Sequence, residues 1–248
     1  CYIDTFKILS RIDKIEPLFG RVGIKVNVTG SGYNSGELVK IDFGKSASIN
    51  IVSADSRGVV SVGFTVDTQP GGKGEKKAVV VSGLTSGKVN RGEFEITPAV
   101  MRLIPESGCV GDSIEIGGNG YGADEIIQID MGDIKGVAEV QSDENGQFAA
   151  SLIIPTQTGS RDKMLRVWGL SSDMGSLRKF EVRQAILISP ASGTNGVIIS
   201  VNGTGFGADE IIRVDCGNSL GIVSGKSDAN GNFSASFELT AQEIGDVR

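Results

Sequence analysis

The segment GNGYGA, Gly118 to Ala123, has the outline of a dinucleotide-binding loop, and GTGFGA, Gly203 to Ala208, repeats it. A G-x-G-x-x-G/A loop holds a pyrophosphate when it comes after a strand and opens a helix whose first amides face the phosphates. An acidic residue about 20 positions on would bind the ribose, and Asp143 stands 23 beyond Gly120. The helix is missing from the pattern. The glycines lead into EIIQIDMG, alternating and too short for one, so they predict a turn that feeds a strand.

Carboxylates recur behind each glycine turn as Glu37 with Asp42, Glu125 with Asp130 and Glu210 with Asp215. Calcium takes six to eight oxygens, and no D-x-D-x-D-G run supplies them from one segment. The six residues are calcium candidates if a neighbouring loop adds ligands. A solvated surface pair is the plainer alternative, since Asp42 has Lys40 and Asp215 has Arg213 on the same outward strand face. Calcium is the one cofactor considered; no other is implied.

Enzymatic chemistry is poorly provided for. The chain has no histidine, which removes the usual general base and the commonest transition-metal ligand. Cys1, Cys109 and Cys216 form no C-x-x-C spacing and suggest neither a zinc site nor a disulfide framework. Cys216 falls in an inward slot held elsewhere by Phe43 and Met131, which predicts a buried, inert thiol, whereas Cys109 lies in a turn. The net charge of −6 argues against a nucleic-acid partner, and no run reaches the eighteen apolar residues of a membrane helix. DENG at Asp143 and DANG at Asp228 predict tight hairpins. Asn27, Asn202 and Asn232 open glycosylation triplets, with Asn202 the most accessible. Trp168, the sole tryptophan, is expected to fill core; an exposed position would make it a sugar-stacking platform.

These features belong to a repeat. Gly32, Gly120 and Gly205 stand 88 and 85 residues apart, as do Asp42, Asp130 and Asp215. Within each copy apolar residues alternate, as in Val39, Ile41 and Phe43, matched by Ile127, Ile129 and Met131 and by Ile212, Val214 and Cys216. Period-2 alternation with turns about every ten residues predicts roughly seven strands per copy, an all-β Ig-like sandwich. The copies run from 11 to 97, from 98 to 184 and from 185 to 248, the third without its last two strands. Residues 1–10 match the last strand of a preceding copy, so the chain is expected to be an internal piece of a longer array. Short junctions predict a semi-rigid rod.

The pattern PESG, IEIGGNGY, IQIDMG, DENGQF and IPTQTG resembles the IPT/TIG-type Ig-like repeats, over nearly the whole chain. The first copy departs at Asn34-Ser35-Gly36 and has Val60 in place of the Phe. This version is particularly similar to the S-layer glycoprotein repeats of anammox planctomycetes. The resemblance implies an extracellular, cell-surface structural segment, with copies of itself as partners in a lattice, glycans as further partners and no catalytic residues. An adhesin or carbohydrate-binding stalk is the alternative.

Overall fold

The computed structural model describes residues 8–156 and 162–240. In the first copy, β1 (Arg11–Glu16), β3 (Lys25–Ser31) and β6 (Val60–Thr65) form one sheet in that order. A second sheet has the order β2 (Phe19–Gly20), β8 (Val89–Ile96), β7 (Lys76–Gly83), β4 (Leu38–Phe43) and β5 (Ser46–Ser53). The next copy repeats the plan. Its small sheet is β9 (Ala99–Ile104), β11 (Ser113–Asn119) and β14 (Phe148–Ile153), with β11 central. Its large sheet runs β10 (Ser107–Cys109), β16 (Met174–Arg183), β15 (Asp162–Gly169), β12 (Ile126–Met131) and β13 (Ile134–Gln141). The third copy has β17 (Ala185–Ser189), β18 (Ile198–Thr204) and β21 (Phe233–Glu238) in one sheet. Opposite it lie only β19 (Ile211–Cys216) and β20 (Ser219–Lys226) among the described residues.

Where seven strands are expected, the first two copies show eight, because the opening edge strand is split between the sheets. β1 and β9 pair antiparallel in the small sheet, while β2 and β10 join β8 and β16 in parallel. A cis Xaa-Pro bond stands directly after β1, β9 and β17, at Pro17, Pro105 and Pro190. Residues 1–7, part of the expected strand of a preceding copy, lie outside the described residues; Ile8 to Ser10 carry no strand.

Alternation places the core. Side chains at every second position share a sheet face, so Val39, Ile41 and Phe43 are fully buried on β4, and Ile127, Ile129 and Met131 on β12. They meet Val26 and Val28, or Ile114 and Ile116, from the facing sheet. Each such burial stabilises by about 1.5–3 kcal/mol. On β19 the matching Ile212, Val214 and Cys216 are only half-buried. Among the described residues the sheet is two strands wide there, and the thiol expected to be buried is partly open.

Candidate functional site

Gly32, Gly120 and Gly205 come directly after β3, β11 and β18, with φ of 85°, 78° and 77°. That left-handed conformation suits glycine. Space requires it as well, since a Cβ on Gly120 would sit 2.7 Å from the Thr97 carbonyl oxygen, and on Gly205 2.6 Å from that of Arg183. The chain entering each copy crosses the turn at this point. The outline of a phosphate loop is, in three dimensions, a crossing of backbone over backbone.

The loop nevertheless holds an anion, and the anion is its own. Gly122 N–H donates to the Glu125 carboxylate. The amides of Ser171 and Ser172 donate to Glu125 Oε2 at 3.2 and 2.9 Å, and Ser172 Oγ donates to Oε1 at 2.9 Å. In the first copy Asn34 N–H donates to Glu37 at 2.9 Å, with Thr85 and Ser86 amides at 3.0 and 2.5 Å. Glu37 and Glu125 are 5% and 4% exposed. Burial by itself would raise the Glu37 pKa, but the amide and hydroxyl donors of Asn34, Ser86 and Thr85 outweigh it and hold the group at about 2. Each glutamate thus ties its glycine loop to the hairpin turn between the last two strands. Glu210 keeps the local bond, from Gly207 N–H at 2.7 Å, and is exposed.

The loop has two further supports that the sequence reading misses. Ser142 Oγ donates to the Gly122 carbonyl at 2.7 Å and accepts Glu125 N–H at 3.0 Å, and Ser227 does the same for Gly207 and Glu210. Their signal is a serine just before each D-x-N-G turn, where the first copy has Ala54. Tyr121, fully buried, shares a 3.0 Å hydrogen bond with Ser176, and burial pushes its phenol up to about 12. The departure at Asn34-Ser35-Gly36 keeps the backbone shape, since Gly36, Asp124 and Asp209 all have positive φ.

Asp42 pairs with Lys40 at 3.0 Å and Asp215 with Arg213 at 3.1 Å, on partly exposed side chains, whereas Asp130 is buried. Each lies where the register to the next strand shifts, between Ile41 and Phe43, Ile129 and Met131, or Val214 and Cys216. At this bulge Asp42, Asp130 and Asp215 accept the N–H six residues on, from Ser48, Gly136 and Gly221, at 2.6, 3.0 and 2.6 Å. All three donors have left-handed φ. Asp130 is 2% exposed. Burial would raise its pKa, but Gln128, Gly136 and Lys135 outweigh that and hold it below the usual carboxylate value. The amide of Gly221, with help from Arg213, does the same for Asp215. Among the described residues no three His, Cys, Asp or Glu side chains gather as metal ligands. The six calcium candidates are met by N–H, O–H and cationic donors instead.

Two further expectations change. Asp143 accepts the amides of Asn145 and Gln147, and Asp228 those of Asn230 and Asn232, so both segments are tight turns. They are not hairpins, because β13 and β20 lie in one sheet while β14 and β21 lie in the other. Trp168 lies outside the core. It alternates with buried Val167 and Gly169 on the outer face of β15, half-buried, with the Arg166 guanidinium 4.3 Å from its ring centroid. Asn27 and Asn202 are exposed on central strands, and Asn232 is half-buried beside Asp228. Cys109 is half-buried on β10.

Paired antiparallel sheets, repeated along the chain with no helix among the described residues, define an all-β protein of tandem Ig-like sandwiches. No family profile matches the chain, and no curated protein does. Several solved structures are similar. A tetra-tandem repeat from the extending region of a large adhesion protein is 14% identical at a TM-score of 0.30, over 94% of this chain and 65% of that one. A Ca2+-stabilised adhesin with which an Antarctic bacterium binds ice is 11% identical at 0.26, over 95% and 66%. A structure with a xylogluco-oligosaccharide is 12% identical at 0.36, over 92% and 59%. The chain spans less than two thirds of the length of each.

Proposed function

We propose that this chain is a structural segment of a bacterial cell-surface protein, outside the cell, that builds an S-layer or sheath through IPT/TIG-type domains. The domains are 11–97, 98–184 and an incomplete 185–248, arranged as a semi-rigid rod. One observation carries the proposal: the groups spaced for chemistry are spent on holding the sandwiches together. Glu37 and Glu125 accept backbone amides, Asp130 closes a bulge, and the glycine turns make room for the entering chain. Partners are then copies of the chain, through sheet edges and outer faces. Glycans on Asn27, Asn202 or Asn232 and calcium between neighbouring molecules are subsidiary parts of the proposal.

A second reading, an adhesin or carbohydrate-binding stalk, draws on the outward Trp168 with Arg166 over its ring. Electron microscopy of the purified chain with calcium and after chelation separates the two. Ordered sheets or tubes that chelation disturbs are expected for the lattice. Single particles at every calcium concentration, with retention on a glycan array that Trp168→Ala abolishes, would replace it with the stalk.

A further inference from the structure

The loop between β6 and β7 does more than connect two strands. Pro70, Gly71 and Gly72 are buried, although they stand in a surface connection of the first copy. They are covered by the second. Gly71 N–H donates to the Tyr121 carbonyl at 2.7 Å, and Lys73 N–H donates to the Ser172 carbonyl at 3.2 Å. Lys73 Nζ stands 2.6 Å from Asp173 Oδ2, and Arg21 Nη1 lies 3.6 Å from Met101 Sδ across the same junction.

Contact is close as well as polar. A Cβ on Gly71 would lie 2.3 Å from the Gly120 carbonyl oxygen and 2.7 Å from that of Ile96. A Cβ on Gly146 would lie 2.9 Å from Pro70 Cα. The receiving surface is therefore made of three turns of the second copy: Gly120–Tyr121, Gly146 and Ser172–Asp173. Glu125 sets the geometry of the first and third, since it takes the amides of both Gly122 and Ser172.

The geometry points to a socket. The glycine-turn pole of the second sandwich receives the 67–75 loop of the first, and this plug holds the two sandwiches as one rigid body. The two-residue connection Thr97–Pro98 limits how far they can separate; the plug fixes their twist. The Lys73–Asp173 pair contributes little, because its side chains are 69% and 60% exposed and water screens them. The buried Gly71 bond and the backbone packing around it are the larger part. The inference stands apart from the proposed function, since a stalk needs stiff junctions as much as a lattice does.

Backbone residual dipolar couplings of the full 248-residue chain test it. One alignment tensor should fit the amides of β3–β8 and β11–β16 together. Separate tensors of different magnitude would overturn the socket. Gly71→Val places a branched side chain against the Gly120 and Ile96 carbonyls without entering either core. It should split the tensors while the core amide shifts of both sandwiches stay in place; a single tensor in this variant would also refute the inference. Should Gly71→Val lose its fold, Gly71→Ala sets a single methyl against the same two carbonyls, and split tensors are again the readout. A single tensor in that variant would count against the socket.

Discussion

Glu125 and Glu210 have nearly the same local surroundings and different fates. Both end a G-x-G-[YF]-G-A-D-E segment, stand after an aspartate with positive φ (53° and 59°), and donate N–H to a serine hydroxyl at 3.0 and 2.9 Å. Glu125 is buried and takes four donors, whereas Glu210 is exposed and takes one among the described residues. The strand behind them diverges in the same way, with Ile129 fully buried and Val214 half-buried. Local sequence suffices to shape the loop. Burial comes from β15, β16 and the Ser171–Ser172 turn, 46 and 47 residues further on. Among the described residues the third copy has no counterpart of these.

The comparison breaks first, if it breaks, at the glutamates. Glu125→Ala removes the charged acceptor of part-buried donors, and such hydrogen bonds are worth about 1.5–3 kcal/mol each, so a loss of about 3 kcal/mol or more is expected. Trp168 lies in that sandwich, and urea melts tracked by its fluorescence read the loss directly. Glu210→Ala should cost under about 1 kcal/mol, read as amide exchange on β18 and β21. Equal costs would mean that local bonds, not the distant turn, carry the loop.

Ile129→Ala should cost about 2–5 kcal/mol, the range for a packed core position. Val214→Ala should cost about 1 kcal/mol or less, because less apolar area leaves water there. A similar loss at both would show that the third core is closed in solution.

Acid sharpens the same contrast within the first copy. The folded value of Glu37, about 2, lies below its ordinary 4.5. Its stabilisation is therefore complete above pH 4.5 and is lost as pH falls through 4.5 toward 2. The Thr85 and Ser86 amide resonances should shift, and their exchange quicken, across that window. A shift centred at 4.5 or above would contradict the amide cradle.

The smallest effect expected is that of Tyr121→Phe, about 1 kcal/mol for the lost bond to Ser176. The third copy already carries Phe206 at this place. No measurable change in the Trp168 melt would make the hydroxyl incidental.

The pattern of burial along the strands is legible because a strand alternates its faces and the copies agree in register. Sequence reading fails where a side chain bends away from its nominal face or serves another copy. Asp130 projects from the polar face of β12, yet the bulge at its own position turns it onto Gly136 N–H under Gln128 and Lys135. Residue type assigns Trp168 to the core, although its neighbours Val167 and Gly169 hold the inward slots. Asn-Gly marks the turns after Asp143 and Asp228 correctly, but a turn alone does not say whether the chain pairs back or crosses to the other sheet.

By itself the sequence determined the all-β class, the register of the copies and the inward faces, because these rest on periodicities of two and of one copy length. Only the tertiary structure decided what the glycine turns and acids do. Gly120 answers to the carbonyl of Thr97, Glu125 to amides at 171 and 172, and Gly71 to the carbonyl of Tyr121. Each partner lies on another strand or another copy. Backbone amides and carbonyls carry no residue-specific mark, so no spacing in the chain announces them.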